Sequence, residues 1–84
     1  MFSFGLTDKQ VMVVDLHQMD CKQARQWLYG KVSSAPKEIR EIEVIHGFHS
    51  GTALQNMVRK SFSHPRIRSK VLGLNQGSTI LILK

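Results

Sequence analysis

The 84 residues carry twelve Lys and Arg against six Asp and Glu, a formal net charge of +6, with 42% hydrophobic and 21% charged content. A chain of this length forms one domain that buries ~60% of its unfolded surface, and its composition excludes disordered and collagen-like classes. One cysteine, Cys21, excludes an internal disulfide, and no apolar run approaches the ~20 residues that span a bilayer.

The charge is one-sided. All six acids lie at or before Glu43, and residues 1–43 also hold six cations, so that half is neutral. The remainder carries Arg59, Lys60, Arg66, Arg68, Lys70 and Lys84 with no acid. Such asymmetry favours a polyanionic partner. Met1 to Gly5 lacks the charged and apolar segments of a secretory signal. With a single cysteine, a cytoplasmic location is expected.

Met12 to Leu16 is an apolar run ending in Asp-Leu-His, which predicts a buried strand. Asp20 with Gln23 three residues on forms a capping-box pattern. Ala24, Leu28 and Val32, at spacing four, mark the buried stripe of a first helix, with Trp27 beside it, expected in the core rather than as a stacking platform for a base. Ser33-Ser34-Ala35-Pro36 ends that helix. Ile42, Val44 and Ile45 predict a second strand running into His46-Gly47.

Gly51 precedes a second helix whose Leu54, Val58 and Phe62 again lie at spacing four, with His64-Pro65 as its stop. Ile67 and Val71 alternate with Arg66, Arg68 and Lys70, a half-buried strand with three cations on its solvent face. Asn75-Gln76-Gly77 supplies a turn, and Thr79 to Leu83 a closing strand. The order βαβαββ predicts an α+β two-layer sandwich, a mixed four-stranded sheet with two helices on one face. Residues 1–11 read as an N-terminal extension and 12–84 as the domain. Ligand sites in such sheets form beyond the carboxyl ends of parallel strands, and both strand-to-helix junctions here carry histidines.

Three constellations could carry chemistry. Residues two apart on a strand share a face, so Asp15 can accept from one nitrogen of His17 and leave the other free for proton transfer. The plainer alternative is a carboxylate capping the loop beside an idle histidine. At the second junction, Gly47, His49, Ser50, Gly51 and Thr52 form a glycine-bearing loop opening a helix. Its N–H groups suit a phosphate, or Ser50 is simply an N-cap. His46 is a second candidate for proton transfer or phosphate contact. The third is cationic: Arg59, Lys60, Arg66, Arg68 and Lys70 suit a phosphate backbone, or form a solvated face that discourages edge pairing.

Asp15, His17, His46 and His49 are capable metal ligands, but no established ligand spacing is present, so no metal site is assigned. Cys21 lies beside Asp20, whose charge opposes a thiolate, so no catalytic thiol is expected. His64 has no partner evident from the sequence.

In order, these pieces resemble the small MutS-related (Smr) domain. Val14-Asp15-Leu16-His17 resembles its first motif. Ile45-His46-Gly47, followed by Gly51-Thr52-Ala53-Leu54, resembles its second. Asn75-Gln76-Gly77-Ser78-Thr79 resembles its closing hairpin. The second motif departs from the family pattern: Phe48-His49-Ser50 separates His46-Gly47 from Gly51, and Gln55 stands where an arginine is common.

The resemblance implies a fold related to the C-terminal domain of a bacterial translation initiation factor. It also implies nucleic-acid binding and, in several members, DNA-nicking or RNA-cleaving endonuclease activity. Asp15 and His17 would be the catalytic pair, with His46, Gly47 and Gly51 in the loop facing the scissile phosphate. RNA cleavage through a 2′-hydroxyl needs no metal, whereas DNA hydrolysis would recruit a divalent ion. The alternative is a non-catalytic DNA-, RNA- or ribosome-binding module. A membrane partner is not expected, because no basic amphipathic helix with a lipid-facing stripe is present. The oligomeric state is not encoded legibly.

Overall fold

A computed structural model of the protein describes residues 10–47, 53–73 and 77–84. The expected strands and helices are present: β1 (Val11–Asp15), α1 (Cys21–Ser34), β2 (Glu41–Ile45), α2 (Ala53–Asn56, continued as a π-helical turn over Met57–Ser61), β3 (Ile67–Leu72) and β4 (Ser78–Leu83). The sheet order is β1-β2-β4-β3. β1 and β2 are parallel from Val11–Glu41 to Asp15–Ile45, which requires the α1 crossover between them. The other pairs are antiparallel. Among the described residues this is the mixed four-stranded α+β sandwich that the sequence predicts.

Alternation decides which face is buried. Val14, Ile42, Val44, Leu81 and Leu83 share one core with Ala24, Leu28 and Val32 of α1 and Met57, Val58 and Phe62 of the second helical segment. Leu28 has no exposed surface, and truncating such a leucine to alanine costs ~2–5 kcal/mol. Helix α1 begins where Asp20 accepts a hydrogen bond from the Gln23 backbone N–H at 2.8 Å, as the capping pattern predicts. It ends at Ala35, held extended before Pro36.

Four sequence expectations need correction. The second helix is not a continuous α-helix. Its last turn widens, and the Phe62 N–H reaches back to Met57 O at 2.7 Å, which brings Met57 as well as Val58 into the core. Trp27 is not core: it is 46% exposed, and the Lys31 ammonium lies 4.6 Å from its ring centroid. Helical geometry places Trp27 beside the stripe of Ala24, Leu28 and Val32, outside the packed layer. His64 has partners: its Nε2 is 2.8 Å from Ser33 Oγ, the Arg66 backbone N–H donates to its Nδ1, and the Tyr29 ring packs against it, tilted, at 4.4 Å between centroids.

The fourth correction concerns the cationic strand. The register slips between Ile67 and Ser69, where two β3 residues stand against one step of β4, so the simple alternation fails. Lys70 falls on the side of Leu81 and turns toward the helices, where its ammonium donates to the Phe62 and Arg59 carbonyls. Arg66, just before the strand, donates to Val32 O at 2.9 Å and Ala35 O at 2.6 Å. Both side chains thereby satisfy carbonyls that a helix end leaves without partners. Arg68 remains exposed, and so does Val71, which was expected half-buried.

Candidate active site

The site lies at the carboxyl ends of the two parallel strands. Beyond β1, the fully buried Leu16 extends the ladder, its N–H donating to Ile45 O at 2.7 Å. A tight turn then closes with Met19 N–H on Leu16 O before Asp20 starts α1. Pinned between a buried leucine and a helix cap, His17 has little freedom of backbone position.

Asp15 Oδ1 accepts two hydrogen bonds from the same residue, from the His17 backbone N–H at 3.0 Å and from Nδ1 at 2.5 Å. One carboxylate oxygen therefore both caps the turn and orients the imidazole. These bonds, the side-chain one foremost, hold the Asp15 carboxyl below its ordinary pKa, keeping it anionic. Because the carboxylate takes the Nδ1 proton, Nε2 is the nitrogen left for a substrate. The pair is half exposed, 50% for His17 and 52% for Asp15.

His46 follows β2 and is the opposite case. Only 3% of it is exposed, and both ring nitrogens are engaged. Nδ1 lies 2.9 Å from Gly47 O, which can only accept, so Nδ1 carries the proton. Nε2 therefore accepts from the Thr79 hydroxyl, also at 2.9 Å. Thr79 Oγ1 in turn accepts from Arg59 Nε at 2.7 Å, while Arg59 also donates to Ser78 O. Burial first, and the Arg59 charge as a lesser cause, push the His46 pKa below its ordinary value, against the opposing pull of Gly47 O. Burial thus disfavours the charged form, and the two bonds hold the ring in one orientation.

This network shapes the loop. His46 and Gly47 N–H both donate to Gly77 O, at 2.9 and 3.0 Å, tying the end of β2 to the turn before β4. Gly47 has φ +72°, a conformation that favours glycine, and a side chain there would meet His17 Cβ at 3.4 Å. The Gly47 N–H is thus committed to the fold.

His17 and His46 line one cavity of about 560 Å³, together with Gln18, Met19, Cys21 and Leu54. Of the residues expected from sequence, His17 and His46 line this cavity, Asp15 is bonded to His17, and Gly47 lies against His17. His49, Ser50, Gly51 and Thr52 lie outside the described residues, as do Asn75 and Gln76 of the expected closing turn. Arg59 is joined to the site through Thr79. Lys60 and Arg68 are exposed, while Arg66 and Lys70 face helix carbonyls. Thr79 was missed as a site residue, although a threonine opening an apolar strand opposite the histidine-bearing one was a usable signal. Among the described residues, no group of three or more His, Cys, Asp or Glu side chains is placed to hold a metal ion.

Residues 14–79 match the Smr domain family, which covers most of the chain and both histidine junctions. The chain belongs to the Smr domain family, a class associated with nucleic-acid binding and, in part, with nuclease activity. No curated protein and no solved structure matches it. No helix among the described residues is long and apolar enough to cross a membrane.

Proposed function

We propose that residues 12–84 act as one Smr domain that binds a nucleic-acid strand and cleaves its phosphodiester backbone. The observation that carries this reading is the half-exposed Asp15–His17 pair at the mouth of a cavity. His17 Nε2 takes the proton from the attacking oxygen, a 2′-hydroxyl in RNA or a water in DNA. As the new P–O bond forms, the P–O bond to the leaving oxygen breaks, and the proton passes to that oxygen. Asp15 holds the ring in the competent tautomer and stabilises the transient imidazolium. His46, with both nitrogens engaged, holds the Gly47 backbone that walls the site and does not exchange a proton.

The strand contacts fall to three of the exposed cations, Lys22 at the start of α1 together with Lys60 and Arg68. They hold phosphates through screened, salt-sensitive attraction.

The test is incubation of the purified chain with end-labelled single-stranded RNA and with duplex DNA, each with and without EDTA. Cleavage by the wild type that is lost in His17→Ala supports the reading and shows which backbone is cut. Wild-type activity indistinguishable from His17→Ala under every condition overturns it, leaving a domain that only binds.

A further inference from the structure

Beside the catalytic pair lies a second cavity, about 280 Å³, lined by Met12, Val13, Asp15, Met19, Trp27 and Lys31. It adjoins the first: Met19 lines both, and Asp15 connects it to His17. Its size is near the lower end of the ~300–1,000 Å³ of small-molecule sites, enough for one planar ring system. Trp27 belongs to its wall. The Lys31 ammonium covers the ring at 4.6 Å, yet the residue is still 46% exposed. Trp27 thus shares a cavity wall with methionine and valine side chains, carries a cation over its ring, and still presents nearly half of its surface to solvent.

We propose that this cavity is a subsite for one unpaired nucleobase, stacked on Trp27, of the strand whose phosphodiester lies at His17. The inference rests on the nucleic-acid reading above and deepens it by naming single-stranded substrate. Three features fit that occupant. An indole stacks on any base, because every base has a π-face. The Lys31 ammonium over the ring shows that an indole face accepts a ligand there, and a base that takes its place frees it to pair with a phosphate. The Asp15 carboxylate at the rim is already engaged by two His17 donors, which tempers its repulsion of a phosphate. A base inside a duplex is stacked on its neighbours and cannot enter, so the subsite selects single strands or unpaired positions.

Trp27 is the chain's one tryptophan, so it reports its own occupancy. Wild-type protein is titrated with short fluorophore-labelled single-stranded RNA and DNA and with a blunt duplex, recording strand anisotropy for binding and indole emission, with unlabelled strands, for stacking. Expected is saturable quenching by a single strand at the concentrations where anisotropy rises, and none by the duplex. Trp27→Ala should weaken single-strand binding about 5- to 150-fold, with Trp27→Phe keeping most of the affinity and circular dichroism unchanged in both. Single-strand binding that leaves the indole unquenched and is unaffected by Trp27→Ala overturns the subsite and leaves the nucleic-acid reading standing. Binding of duplex alone does the same. Flat anisotropy for every probe overturns both.

Discussion

Two histidines end two neighbouring parallel strands, and the fold treats them in opposite ways. His17 is half exposed, with Nδ1 on a carboxylate. His46 is buried, with Nδ1 on Gly47 O and Nε2 on Thr79. A proton-transfer group must present a nitrogen to substrate and tolerate positive charge. His17 with Asp15 meets both conditions. His46 meets neither, since burial and the Arg59 charge both oppose its protonation. A histidine beside a cavity is therefore a catalytic candidate only when its hydrogen bonds leave one nitrogen unspent.

The sharpest way to break this contrast is to remove each group in turn. His17→Ala should lower the cleavage rate by about 10²–10⁴-fold, while unfolding stability moves by less than ~0.5 kcal/mol, as for surface substitutions. Asp15→Asn should fall at the lower end of that range, through kcat more than KM. The amide oxygen still accepts from the ring but supplies no charge to the imidazolium. Initial rates beside urea unfolding curves check both.

His46→Ala should do the reverse. It leaves the buried Thr79 hydroxyl and the Gly47 carbonyl without their ring partner, destabilising the fold by about 1–3 kcal/mol. Strand affinity measured well below the melting point should change little. A large rate loss with unchanged stability would move His46 into the chemistry and erase the distinction.

Titration gives a smaller effect with a definite sign. His46 and His64 both have pKa values below their ordinary 6.5, His64 through burial and then the Arg66 charge. The unfolded chain therefore takes up these protons first. Stability is full above about 6.5 and declines as pH falls toward the lowered folded values. The Asp15 contribution has the same sign and fades as pH falls through its ordinary 3.8 toward the lowered folded value. Denaturant midpoints should therefore decline as pH falls from about 6.5. The His46→Ala variant should flatten the upper part of that decline.

The smallest effects separate the cations. Lys70→Met should cost ~0.3–1 kcal/mol of stability, since the ammonium lies at a helix carboxyl end, and leave the salt dependence of strand binding unchanged. Arg68→Met should leave stability alone and reduce the log–log salt slope by ~0.7 on a single strand. Equal slopes for both variants would restore the expected three-cation face.

Much of the frame was legible because it rests on local patterning. Spacing-four stripes, the Asp20 cap and the Pro36 stop depend only on neighbours along the chain, as does the shared face of Asp15 and His17. The features that were misread depend on groups far apart in sequence. Arg66 and Lys70 looked like a solvent face because alternation cannot reveal a bulge. They turn inward because helix ends about 30 and 8 residues earlier need donors. Trp27 looked apolar and therefore buried, but the core stripe was already filled by Ala24, Leu28 and Val32.

The uneven charge has the same division within it. Sequence alone determined the element order, the family motifs and the neutral and basic halves, because these are properties of composition and short-range pattern. Only tertiary structure decided which cations face helix carbonyls, which histidine keeps a ring nitrogen without a bond to the fold, and that Trp27 shares a cavity with Asp15. Those outcomes follow from hydrogen-bond demands and burial between segments that meet only when the sheet closes.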